Sequence, residues 1–211
     1  MFDLINFKSP PRNNIFAPEW NYSLIETNIN PIDFKSLTNF LMKKEKDILK
    51  LKSGSDGYTG LGKKSVTSRH HSYNIFDFKN KEIIKLKKEI LNLHNLFLQK
   101  LKIKLPSKIF IKGWYNILRK GEKITPHLHG TSPDTYLGGH FCVKCKDTST
   151  YYINPVNQIN EPFVYKSLNN VGKLTLFQNC IPHCTDKTNT NRITIAFDLS
   201  LVHTNWVGID I

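Results

Sequence analysis

Residues 114–129 read WYNILRKGEKITPHLH. Trp114 to Leu118 has the aromatic and β-branched composition of a strand, and Gly121 interrupts it before a short run carrying His127 and His129. Residues two apart on a strand point to one face, so this spacing predicts two imidazoles projecting together. Neutral imidazoles converging on one point are ligands for a transition metal. A third candidate, His183, follows 56 residues later in GKLTLFQNCIPH, and Arg192 comes nine residues after that, opening RITIAFDL.

The sequence surrounding that run is strand-like throughout its C-terminal half. Residues 109–118 (IFIKGWYNIL), 136–144 (YLGGHFCVK), 149–154 (STYYIN), 162–166 (PFVYK), 173–179 (KLTLFQN) and 192–202 (RITIAFDLSLV) are short, apolar-rich and punctuated by Gly, Pro and Asn. That pattern predicts a jelly-roll barrel. Upstream, Asp33 reads as a helix N-cap, and Phe34, Leu37, Leu41, Ile48 and Leu51 predict a helix over 33–51. Residues 80–102 are the clearest helix, with Ile83, Leu86, Ile90, Leu93, Phe97 and Leu101 at three- and four-residue steps and lysines opposite. His94 on it reads as a partly exposed bystander. Residues 1–31 read as an extended arm with a short strand near 22–27, and the Gly- and Ser-dense 52–72 as a connector, with a substrate-side loop or lid as the alternative. The expectation is an α+β, mainly β chain forming one domain over 1–211. Residues 1–105 supply the arm and supporting helices, and 106–203 the barrel.

The order HxH, distal His and following Arg, with W-x-N and GKLTLF around them, resembles the non-haem iron, 2-oxoglutarate-dependent oxygenases. The similarity is greatest to a bacterial and phage branch with an H-x-H variant of the metal motif, and it covers about half the chain, roughly 105–202. The resemblance implies a cupin-like double-stranded β-helix that binds Fe(II) and 2-oxoglutarate and uses O2. His127 and His183 fall on the family's metal positions. The second ligand in the family is usually a carboxylate, and His129 stands there instead. Three assignments stay open: His129 itself, Asp134 in the following turn, or a two-histidine site with an open position. Strand alternation puts Arg192 and Thr194 on one face and Ile193, Ile195 and Phe197 on the other. An Arg pointing into a barrel needs an anion. The resemblance makes that anion the distal carboxylate of 2-oxoglutarate, with Thr194 as a second donor, whereas a structural pair with Asp198 is the alternative. Asn116 and Tyr136 are further candidates for lining the cosubstrate site, with packing the favoured role of Tyr136, and His140 reads as a possible additional one, the favoured alternative being a satisfied strand histidine.

Composition limits the remaining possibilities. The formal charge is +13, but only Arg12, Arg69, Arg119 and Arg192 among 30 basic residues are arginines. Phosphate and base-edge recognition favours Arg, so nucleic acid is possible as a partner but not favoured. No run of about eighteen apolar residues suggests a membrane span, and the N-terminus lacks the pattern of a secretory signal, so a cytoplasmic location is expected. Cys142–Cys145 and Cys180–Cys184 have zinc-like spacing, yet an odd spacing on a strand sends Cys142 and Cys145 to opposite faces. The adjacent His70 and His71 diverge on any regular element and read as surface or packing residues. The favoured function is a dioxygenase, a hydroxylase acting on a small molecule or a protein side chain. A non-catalytic cupin-like metal module and a zinc-stabilised nucleic-acid-binding protein are the alternatives.

Overall fold

The computed structural model describes residues 1–30, 32–130, 136–156, 163–202 and 207–210. Its strands are β1 (Phe2–Lys8), β2 (Asn21–Asn28), β3 (Lys108–Leu118), β4 (Leu137–Lys144), β5 (Ser149–Ile153), β6 (Val164–Leu168), β7 (Lys173–Gln178), β8 (His183–Thr185), β9 (Arg192–Ser200) and β10 (Val207–Asp210). Two α-helices, α1 (Phe34–Ile48) and α2 (Lys81–Lys100), precede β3. The strands form two antiparallel sheets, a large one in the order β1-β2-β7-β4-β9-β3-β10 and a small one in the order β6-β5-β8. From β3 onward the chain passes back and forth between them: β3, β4, β7, β9 and β10 join the large sheet, while β5, β6 and β8 join the small one.

Both helices begin at the caps the sequence announces. Asp33 Oδ1 accepts the amide of Ser36 at 2.9 Å, and Asn80 Oδ1 accepts those of Glu82 and Ile83. The apolar stripe of α2 lies against the large sheet, with Leu86, Ile90 and Phe97 fully buried. Each contributes about 1.5–3 kcal/mol by leaving water. His94 is buried as well and not an exposed bystander: Nδ1 lies 3.0 Å from Asn95 Oδ1 and Nε2 2.7 Å from Tyr136 Oη. The expected N-terminal arm is a two-stranded extension of the sheet, since β1 pairs with β2 and β2 with β7. Burial of Phe7, Leu24 and Ile25 secures it.

The large sheet therefore has one face turned to the helices and one turned to a cavity. On β9, Ile193, Ile195, Phe197 and Leu199 join the helix-side core, and Arg192, Thr194, Ala196 and Asp198 line a cavity on the other face. On β3, Tyr115 and Ile117 go to the core while Trp114 and Asn116 line the cavity. Gly139 lets β4 lie close to its neighbours, because a Cβ there would stand 2.4 Å from the Phe197 ring and 2.7 Å from the Thr175 carbonyl. Among the described residues no helix is long and apolar enough to cross a membrane.

Candidate metal centre

His127 and His183 meet because their backbones do. The amide of each donates to the carbonyl of the other at 3.1 Å, forming an isolated antiparallel bridge between β8 and the run before β4. The run HLH is thus a single bridge and not the strand its spacing suggests; the Thr125 amide, next in register to extend the pairing, donates to the Thr59 carbonyl instead. The extended backbone still alternates, so Leu128 is exposed while the imidazoles of His127 and His129 turn inward. Ligand atoms of His127, His129 and His183 all lie within 4.8 Å of one another, the one such cluster among the described residues.

Each ring is held by its Nδ1. His127 Nδ1 donates to the Thr125 carbonyl at 2.9 Å, and His183 Nδ1 to the Ile181 carbonyl at 3.2 Å. A carbonyl only accepts, so Nδ1 carries the proton and Nε2 keeps its lone pair in both rings. His129 Nδ1 sits 2.6 Å from Asp198 Oδ1, which fixes the same tautomer. Three imidazoles oriented by outer partners, each with a ring nitrogen within 4.8 Å of the others, form the donor set of a borderline divalent transition ion.

Burial, reinforced by the neighbouring histidines, keeps the His127 and His183 rings neutral. It pushes the His127 imidazole down to about 4, with the His129 charge adding to the effect, and the His183 imidazole well below its ordinary range. An unfolded chain titrates these rings near 6.5. Below that pH it takes up protons that the folded metal-free protein refuses, so folding stability falls as pH drops from about 6.5 toward about 4. Each buried ring costs up to about 1.4 kcal/mol per pH unit in that window. The metal-free melting temperature is expected to fall more steeply there in the wild type than in His183→Gln; parallel curves would contradict the assignment.

Arg192 is on the same cavity wall and is 2 % exposed. Its Nη2 donates to Thr150 Oγ1 at 3.3 Å, whereas Nε and Nη1 meet no partner among the described residues. The alternative pairing with Asp198 is not made: the two residues are six apart on β9, about 20 Å along an extended strand, and that carboxylate meets His129 instead. A buried guanidinium with unused donors costs several kcal/mol unless an anion joins it. Thr194 faces the same cavity, and Asn116 lies opposite it across the β3–β9 pair, its Oδ1 accepting from Thr67 Oγ1 at 2.7 Å. The cavity holding these groups and the histidines has a volume of about 280 Å³. That is near the lower end for small-molecule sites.

Three expectations require correction and one falls outside the described residues. Tyr136 does not line the cavity: its hydroxyl bonds His94 on α2, on the helix side of the sheet, because β4 and its alternation begin only at Leu137. The 52–72 segment is more than a connector. Thr125 Oγ1 and its amide bond the carbonyls of Tyr58 and Thr59, so residues 56–59 become a wall of the cavity. A register shift between Cys142 and Lys144 reorients the chain, so that Cys142 and Cys145 lie within hydrogen-bonding reach of each other instead of on opposite faces. Asp134 lies outside the described residues.

The sequence reading did not assign cavity roles to Thr150, Trp114 or His70, all of which contribute to the lining. His140, read as a possible site residue, lines the cavity with Nε2 2.6 Å from Tyr152 Oη and Nδ1 without a partner among the described residues.

No protein-family model and no curated protein sequence matches the chain. Solved structures do. A prolyl-4-hydroxylase from Pseudomonas putida is similar with a TM-score of 0.58 at 10% identity, over 85% of this chain and 93% of that one. A viral collagen prolyl hydroxylase from Paramecium bursaria Chlorella virus-1, seen with 2-oxoglutarate, gives 0.55 at 14% identity, over 85% and 96%. A prolyl hydroxylase from Trichoplax adhaerens, seen with a hypoxia-inducible-factor peptide fragment, gives 0.52 at 11% identity, over 83% of each chain. The chain shares the fold of these prolyl hydroxylases.

Proposed function

We propose that this chain is an Fe(II)- and 2-oxoglutarate-dependent dioxygenase, acting as a hydroxylase on a small molecule or a protein side chain. The observation that carries the reading is one cavity holding three clustered imidazoles and a buried guanidinium with two nitrogens unpartnered among the described residues. The alternation of strands between the two sheets supports reading the barrel as a double-stranded β-helix. The shared fold adds the same cosubstrate class, and the peptide-bound relative supports testing protein side chains first as substrate.

His127, His129 and His183 would hold the metal, leaving half of an octahedron for other ligands. Three neutral imidazoles leave its +2 charge uncompensated, which favours an anionic co-ligand. Arg192, with Thr194 and Asn116 beside it, would grip the far carboxylate of 2-oxoglutarate and orient it toward the ion. Together iron(II), 2-oxoglutarate and O2 supply the oxidation of a C–H bond, with succinate and CO2 released. Tyr58, exposed on the wall formed by 56–59, stands with Trp114 and Leu128 where a substrate would enter.

Calorimetry with the redox-inert ion Mn(II) separates this reading from its rivals. 2-Oxoglutarate is expected to bind the Mn(II)-loaded protein at least tenfold more tightly than the metal-free protein. Metal binding without any gain for 2-oxoglutarate would favour the cupin-like module. A tight zinc ion that survives His183→Ala would favour the thiol-based reading, although among the described residues the cysteines form no cluster with a third ligand.

A further inference from the structure

Asp198 is the one carboxylate in contact with the three-histidine cluster among the described residues. Its Oδ1 is 2.6 Å from His129 Nδ1, a short separation of the kind found where one partner carries charge. The pair is shielded from water, the His129 side chain being 4% exposed and that of Asp198 16%. Asp198 belongs to the face of β9 that also carries Arg192 and Thr194, so the strand presents a cation at one end of the cavity and an anion at the other.

The backbone opposite is shaped to allow this contact. Gly138 is the cross-strand partner of Asp198 in the β4–β9 pair. A Cβ at Gly138 would stand 2.9 Å from His129 Nδ1 and 2.7 Å from Asn179 Oδ1. Only a residue without a side chain leaves the His129 ring room to reach across to β9. Two different strands are therefore fitted to one hydrogen bond.

Resting on the metal-site reading above, we propose that Asp198 is a positioning residue that returns, one hydrogen bond away, the negative charge lacking from the inner sphere when His129 occupies the second ligand position. The carboxylate fixes the Nδ1–H tautomer and ring angle of His129. It also draws on the Nδ1 proton, which makes Nε2 a stronger donor toward a divalent ion. His127 and His183 donate Nδ1 to neutral carbonyls, so this support is specific to His129.

The test is metal affinity, titrated with Ni(II), in the intact protein and four variants. Asp198→Asn keeps an oxygen that can accept from Nδ1 but loses the charge, and Asp198→Ala loses both. Outer-shell partners of this kind affect affinity by roughly ten- to a hundredfold. The expected order is wild type, then Asp198→Asn weaker by about tenfold, then Asp198→Ala weaker still, and neither weaker than His129→Ala. In Zn(II)-loaded protein, the Nδ1 proton of His129 should give a strongly downfield signal that Asp198→Ala abolishes while those of His127 and His183 remain. Wild-type affinity in both Asp198 variants would overturn the proposal. So would a loss in Asp198→Asn as large as that in His129→Ala, because the carboxylate would then be a ligand itself. If the wild type binds no Ni(II), or if His183→Ala binds it as well as wild type, the metal-site reading fails instead.

Discussion

His183→Ala is expected to abolish iron(II) binding while leaving the fold intact. The imidazole is 6% exposed and lies at the centre of the cluster, with ring centroids 4.4 Å from His127 and 5.0 Å from His129. Removing it takes away one of three donors and the one that spans the two segments. The fold should survive because residue 183 is tied to residue 127 through main-chain bonds that alanine retains. The vacated volume opens into an existing cavity, so the loss of packing is small compared with a Leu→Ala change in the core, which costs about 2–5 kcal/mol. His127→Ala should behave alike. His129→Ala should lose as much if the centre is a three-histidine one. Full affinity in that variant would move the second ligand to Asp134 or leave a two-histidine site. Equilibrium dialysis against iron(II) under anaerobic conditions, with circular dichroism to verify folding, makes the comparison.

Arg192→Met should weaken 2-oxoglutarate binding by roughly ten- to a hundredfold or more, with metal affinity almost unchanged. A charge-assisted, two-pronged bond contributes on the order of 1.5–3 kcal/mol, and more is at stake where water is excluded. Arg192→Lys keeps the charge without the planar fork, and its affinity should fall between the two. The same substitution carries a second expectation. In the protein without cosubstrate, Nε and Nη1 of Arg192 are buried without partners among the described residues, so methionine should leave the fold as stable or more so. A residue that weakens binding when removed but does not lower stability is placed for a ligand. Thermal melts and calorimetry on one preparation test both halves. A variant that binds 2-oxoglutarate like wild type, or that unfolds at much lower temperature, would contradict the role.

The parts of this molecule legible in its sequence are those governed by local periodicity. The caps at Asp33 and Asn80 and the stripe of α2 depend only on neighbours along the chain. The inward aim of His127 and His129 and the two faces of β9 depend only on alternation, which survives even where HLH forms one bridge and no strand. Contacts set by register between distant segments were not legible in the same way. Asp198 could be placed on the Arg192 face but not against His129, because that contact depends on where residues 127–129 cross β9 and on the space left by Gly138. Tyr136, a lining candidate with packing as its favoured role, packs on the helix side of the sheet against His94. Regular alternation failed at Cys142 and Cys145, where an irregularity in the strand resets the phase. The wall at 56–59 gave no periodic signal, since it is fixed by two carbonyls that bond Thr125.

The most direct measurement is an anaerobic titration of the iron(II)-loaded wild-type protein with 2-oxoglutarate, followed by visible absorption. The account predicts a metal-to-ligand charge-transfer band that grows to saturation at one cosubstrate per chain. The band should be absent in His183→Ala and require much higher 2-oxoglutarate in Arg192→Met. Iron(II) bound at His127, His129 and His183 with no band at any 2-oxoglutarate concentration would contradict the account and leave a metal-binding protein without oxygenase chemistry.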